Sequence, residues 1–309
     1  MSITVKPVPQ GLFAPGRKHA AVFAHQDDET GYLGLMQRIA HHCQAFWVTN
    51  GDGLAPFEKA DPQEYAALRK KESTDAMEIA GFKPGSLHFL GHSELEIYDD
   101  LKAISLVPAN ARLPRDLRER ILGRSRSVIQ KLFDVVRDVD VVWTLAFQGG
   151  HPEHDLTHFF TWKAVEMARK QGRSVEFFEL PEYEIMFFVP LRFPPWKRGE
   201  GHLIELTDQE LGAKERAMMV YPSQAKIIGA FEKLINLYGV ASALALKPFD
   251  FKSFASREYF ARVPDDRRYN ISPHGTSALD YIREYHEGAR ISFDGTVARW
   301  IETIESDLR

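Results

Sequence analysis

Cysteine occurs once in 309 residues, as Cys43, which excludes an intramolecular disulfide framework and any thiolate zinc cluster. Long apolar runs are missing: the longest clean stretch, Val141 to Phe147, falls far short of the roughly 20 residues that cross a bilayer. An excess of one charge is missing too, since 39 Lys and Arg face 43 Asp and Glu for a net charge of -4. No general pull toward nucleic acid or anionic membrane follows, and neither partner is expected. Prolines at Pro7 and Pro9 interrupt the N-terminus before any apolar run could serve as a signal peptide, so the expected setting is a reducing cytoplasm. Internal repeats and low-complexity segments are absent. What is present is 44% hydrophobic and 27% charged residues, an ordinary globular mix with enough apolar mass for a full core.

Short apolar runs alternate with helical patterns over the first two thirds. Strands are expected at His19–Ala24, Ala45–Thr49, Leu87–Leu90, Val141–Phe147 and Val175–Leu180. Between them lie helical stretches from Glu29 to His42, from Asp61 (with Pro62 at the first position and Gly81 at the stop), from Pro114 to Asp138 and from Glu153 to Lys170. In the long helix Leu117, Ile121, Val128, Leu132, Val135 and Val139 make one apolar face. This alternation implies a doubly wound, mostly parallel α/β sheet of Rossmann-like type, with helices on both faces. Beyond Gly199, Asp208–Met219 and Ala225–Tyr238 read as helices and Glu258–Val263 as a late strand. The expected organisation is a catalytic α/β unit over residues 1–224 and a C-terminal extension, 225–309, packed on it. Self-association through that extension stays open.

Ligands of open α/β sheets bind beyond the carboxyl ends of the strands. Four of these ends are rich in polar residues: His25-Gln26-Asp27-Asp28-Glu29, Asn50-Gly51-Asp52-Gly53, Gly91-His92-Ser93-Glu94 and Gln148 through Asp155. If the strands are parallel neighbours, all four open onto one edge. His25 and Asp28 sit three apart on one such turn, and His151 and His154 have the same spacing on another. A site taking His25, Asp28 and one of the second pair has three protein ligands and an open position, the pattern of catalytic zinc. Asp27, beside a ligand, is then free to accept a proton from water. Taken singly, each segment also suits a helix cap or a solvated loop; together they favour a site. The run Arg112, Arg115, Arg118, Arg120, Arg124 and Arg126, interrupted by Asp116 and Glu119, reads as a solvated helix face.

Ala24-His25-Gln26-Asp27-Asp28-Glu29 resembles the Ala-His-Pro-Asp-Asp-Glu signature of the PIG-L/LmbE-like zinc N-deacetylases. Gly150-His151-Pro152-Glu153-His154 resembles their Gly-His-Pro-Asp-His signature, Thr49-Asn50-Gly51 their strand-two turn, and Arg69 with Glu72 their Arg-x-x-Glu helix. The likeness runs over about residues 17 to 183, with a weaker echo at Lys214–Gln224. It implies one zinc ion on His25, Asp28 and His154, Asp27 as general base, His151 as the electrophilic group oriented by Glu153, and Arg69 as a substrate contact. Asn50 and Asp52 would join Arg69 on the sugar side of the pocket. Two positions depart from the pattern. Gln26 replaces Pro and brings an amide toward the substrate side, and Glu153 replaces Asp and is one methylene longer.

The implied activity is zinc-dependent removal of an N-acetyl group from an amino sugar or glycoconjugate, a small-molecule substrate. An amidase of another amide, such as an antibiotic or thiol conjugate, and a non-catalytic carbohydrate-binding protein are the alternatives. Trp196, Tyr183 and Phe187 suit core or hairpin packing better than a stacking face. His158, one turn beyond His154, is the substitute ligand.

Overall fold

A computed structural model describes residues 4–182, 191–193, 199–244, 250–282 and 284–307. Tyr183, Phe187 and Trp196 lie outside the described residues. Eight strands form one sheet: β1 (Thr4–Lys6), β2 (His19–Phe23), β3 (Cys43–Thr49), β4 (Leu87–His92), β5 (Val141–Leu145), β6 (Glu176–Leu180), β7 (Glu200–Glu205) and β8 (Arg257–Arg262). Their order is β1-β7-β8-β6-β5-β2-β3-β4. The run from β6 to β4 is wholly parallel, while β8 pairs antiparallel with both β6 and β7. The four strands whose ends carry the polar clusters, β5, β2, β3 and β4, are therefore consecutive neighbours.

The sheet is buried on both faces because side chains alternate along each strand and both sets are apolar. Val22, Phe46, Val142 and Phe177 point to one face, where they meet helices α4 (Glu94–Ser105), α5 (Arg115–Val136), α6 (Pro152–Lys170) and α10 (Ala298–Asp307). Phe23, Trp47, Trp143 and Phe178 point to the other, toward α1 (Leu33–Ile39), α3 (Pro62–Ile79) and α7 (Asp208–Met218). Each fully buried Leu, Ile or Phe on these faces contributes about 1.5–3 kcal/mol. Three further helices, α2 (Ala55–Glu58), α8 (Ala225–Leu244) and α9 (Phe251–Ala255), and a hairpin of β9 (Tyr285–His286) and β10 (Ala289–Arg290) stand at the carboxyl edge.

Local chemistry explains the boundaries. Asp61 caps α3 by accepting from the amides of Gln63 and Glu64. The helix expected from Glu29 to His42 is instead a 3-10 turn, the short α1, and a second 3-10 turn. Asp28 bends its carboxylate back onto the amides of Ala24 and His25 (2.9 and 2.7 Å), which tightens the entry. The arginines of α5 pair with acids, Arg124 with Glu96 and Asp100 and Arg126 with Asp307. Among the described residues no helix is long and apolar enough to cross a membrane.

Candidate functional site

The loop after β2 presents His25, Asp27 and Asp28, and the loop from β5 into α6 presents His151, Glu153 and His154. That second loop is held by Asp155, which accepts from the amides of Gln148 and Gly149 (3.0 and 3.1 Å) and from the hydroxyl of Tyr281 (2.6 Å). Gly149 has φ +75°, and a Cβ there would lie 2.3 Å from Asp280 Oδ1, so only glycine fits this turn.

Three atoms converge. His25 Nδ1 lies 3.1 Å from His154 Nε2 and 3.5 Å from Asp28 Oδ1, and His154 Nε2 lies 3.1 Å from that same oxygen. Tetrahedral zinc with ligands at 2.0–2.1 Å requires ligand atoms about 3.3 Å apart, which is the size of this triangle. The imidazole of His151 is also close, its ring centroid 4.8 Å from that of His25 and 4.9 Å from that of His154. An all-histidine set of His25, His151 and His154 has its nitrogens within 4.8 Å of one another, a looser grouping. The donor set with the two imidazoles and the hard carboxylate fits zinc better than magnesium.

Electrostatics also fit a cation. Burial disfavours a charged His25, yet Glu94, Asp28 and Glu153 outweigh it and hold its pKa well above the usual histidine value. Burial would raise Asp28, but His154 and His25 keep it well below the usual carboxylate range. Glu153 is pushed up to about 8, chiefly by burial. His151 is driven well below its ordinary value by burial and by the neighbouring His25 and His154. Buried acids thus surround His25, and a divalent ion bound among them would favour their ionised forms.

Beside the triangle, Asp27 Oδ1 lies 3.0 Å from Arg69 Nη2. Gln224, with its amide assigned so that both atoms find partners, donates to Asp27 Oδ2 (3.2 Å) and accepts from Arg69 Nη1 (2.7 Å). Arg69 further contacts Ser223 Oγ (3.2 Å) and Glu72 (3.8 Å). Glu153 Oε2 sits 2.8 Å from His25 Nε2 but 4.0 Å from His151 Nδ1. A carboxylate on the remote nitrogen of a ligating histidine is the usual outer support of a metal site.

His25, Asp27, Asp28, Arg69, His151, Glu153 and Gln224 border one cavity of about 910 Å³. Its floor also takes Glu94, which accepts from Thr49 Oγ1 (2.9 Å) and the amide of Gly53 (3.1 Å). One wall is apolar, built by Leu54, Phe57, Ile227, Ile228, Phe251 and Phe254; the opposite wall carries Tyr98, Asp99, Glu284 and His286. Asn50 and Asp52 stand behind the floor. Asp52 accepts from the amide of Glu94 (2.8 Å) and from Ser93 Oγ (2.7 Å), capping α4, and Asn50 Nδ2 donates to it (3.1 Å). Gln26 is buried and ties its amide to the carbonyl of Thr49 (2.8 Å), away from the cavity. His158 is bound to the carbonyl of Leu145 (2.6 Å) and to the Tyr269 hydroxyl (2.9 Å), apart from the triangle.

Residues 20–165 match the family model described as PIG-L: GlcNAc-PI de-N-acetylase. The chain carries a PIG-L family domain. Two solved structures share the fold of the PIG-L domain and its surroundings. One is the zinc-inhibited form of the teicoplanin deacetylase Orf2, 13% identical, with a TM-score of 0.52 over 81% of this chain and 100% of that one. The other is a deacetylase–bog complex from the teicoplanin biosynthesis pathway, 14% identical, with a TM-score of 0.50 over the same shares, 81% and 100%. No curated protein matches the sequence.

Sequence reasoning gave no role to Glu94, Tyr98, Gln224 and Glu284, although Glu94 lies in a polar strand end and Gln224 closes the weaker echo. The first two had a detectable signal: Ser93 followed by Glu96, with Ile97, Leu101 and Ile104 behind them, is a helix start with an apolar face, and it marks α4. Glu284 has no such local mark.

Proposed function

We propose that the chain is a zinc-dependent hydrolase that removes the acetyl group from an N-acetylated amino sugar or glycoconjugate. The observation that carries this reading is the triangle of His25 Nδ1, Asp28 Oδ1 and His154 Nε2, with the Asp27 carboxylate beside it in the same cavity. His25, Asp28 and His154 would hold the ion, which when bound supplies Lewis-acid polarisation and an acidified water.

The chain's own residues do the rest. Asp27 accepts the proton of the attacking water, and Arg69 and Gln224 hold its two oxygens so that the remaining lone pairs face the cavity. His151, when protonated on its second nitrogen, donates to the oxygen that becomes negative as the amide carbonyl turns tetrahedral. The amide C–N bond then breaks, the nitrogen takes the proton held by Asp27, and acetate and a free amine leave. Glu153 keeps the His25 ring turned with its Nδ1 inward.

The apolar wall of Phe57, Ile227, Phe251 and Phe254 supports a conjugate with an apolar portion over a free monosaccharide. The test is a zinc-loaded panel of simple and conjugated N-acetylhexosamines, followed by acetate release. Stoichiometric zinc and turnover are expected in wild type, with D27N losing about 10²- to 10⁴-fold in kcat while zinc content holds. Binding without hydrolysis in wild type would favour a carbohydrate-binding protein, and turnover only of non-sugar amides would favour the amidase.

A further inference from the structure

His151 must present one defined nitrogen to the substrate, and the acid expected to orient it faces elsewhere. Glu153 gives its close contact to His25 (2.8 Å) and is 4.0 Å from His151 Nδ1. The other nitrogen of His151, Nε2, lies 3.3 Å from the hydroxyl of Tyr98, and the two rings meet edge to face with centroids 6.1 Å apart. Tyr98 in turn donates to Glu284 Oε2 at 3.0 Å.

A phenol has a single proton. With that proton directed at Glu284, the oxygen offers His151 only a lone pair, and a lone pair accepts from an N–H. His151 is thereby held with hydrogen on Nε2, and Nδ1 becomes its exchangeable position. We propose that Tyr98, held by Glu284, is the positioning residue for His151, the task that the family pattern assigns to the acid at position 153; this rests on the role given to His151 above. Glu284 comes from beyond the matched residues 20–165. The hairpin that follows it is fastened to the helix bearing Tyr98, by His286 to Asp99 (2.8 Å) and by Glu287 to Lys102.

The full-length, zinc-loaded protein provides the test through Y98F, E284L and E284Q. Y98F and E284L should lower kcat about 10- to 100-fold with KM and zinc content as in wild type. E284Q, whose amide oxygen still accepts from Tyr98, should recover most of what E284L loses. The imidazole ¹⁵N spectrum of His151 should show a single Nε2–H tautomer in wild type and a mixture in Y98F. A wild-type kcat in Y98F, a rise confined to KM, or an unchanged tautomer would overturn the proposal. Should wild type release no acetate, the deacetylase reading fails, and the Y98F spectrum alone decides whether Tyr98 sets the ring.

Discussion

Arg69 Nη2 and Asp27 Oδ1 are 3.0 Å apart, so the arginine that the resemblance assigns to substrate also carries the partner of the proposed base. Arg69 is buried, and Glu72, buried with it, lies at 3.8 Å. Replacing Arg69 by Met leaves Glu72 without a nearby cation and frees Asp27 to turn. R69M should cost about 3 kcal/mol of stability, the scale of breaking a buried pair, and should also lower kcat. R69K should restore little, because an ammonium cannot reach Asp27, Ser223 and Gln224 from one planar group. Urea unfolding and steady-state kinetics on the same preparations check both halves.

Glu153 offers a separable test of the metal centre. Its contact with His25 Nε2 at 2.8 Å predicts that E153Q weakens zinc affinity by about 10- to 100-fold while His25, Asp28 and His154 remain in place. Competition with a chromogenic chelator measures this directly. Wild-type affinity in E153Q would mean that the carboxylate does not support the histidine.

Lys214 and Glu258 form a buried pair at 2.8 Å that joins α7 to β8. Glu258 also accepts from the amides of Gly34 and Leu35 at the start of α1 (2.8 and 2.6 Å), and Lys214 donates to the carbonyl of Gly31 (2.7 Å). K214M should therefore destabilise the fold by about 3–5 kcal/mol, since it strands a carboxylate away from water. A shift of the denaturation midpoint with an unchanged slope is the expected signature.

His19 sets a pH dependence of stability. It accepts from the indole of Trp143 (3.1 Å), and burial, followed by Arg17, lowers its pKa to about 4. The unfolded chain binds the proton near pH 6.5, the folded chain near 4, so in that window the unfolded state holds more protons. Stability from this residue is full above pH 6.5 and is lost as pH falls toward 4, by up to about 3 kcal/mol. H19Q, which can still accept from Trp143, should flatten the wild-type curve of urea midpoint against pH over that range.

The parallel heart of the sheet was legible because β2, β3, β5 and β6 are apolar on both faces, a pattern no loop sustains. β7 escaped notice, since Glu200 and Glu205 end a strand with His202 in its middle, and so did β1, three exposed residues. At the site, contiguous strand-end motifs named His25, Asp27, Asp28, His151, Glu153 and His154, which the fold brings into one cluster. Where a long side chain turns was not legible. Nothing in the spacing says that Glu153 reaches His25, that Gln26 folds onto Thr49, or that Glu284 meets Tyr98 across 186 positions.

The antiparallel strand β8 lies between β6 and β7, although it is made some eighty residues after the former. A nascent chain therefore holds the open flank of β6 unsealed until Arg262 has emerged from the ribosome, and a fragment stopping at Gln224 would keep that flank sticky for good. The order of synthesis, more than the order of the motifs, decides when the pocket acquires its shape.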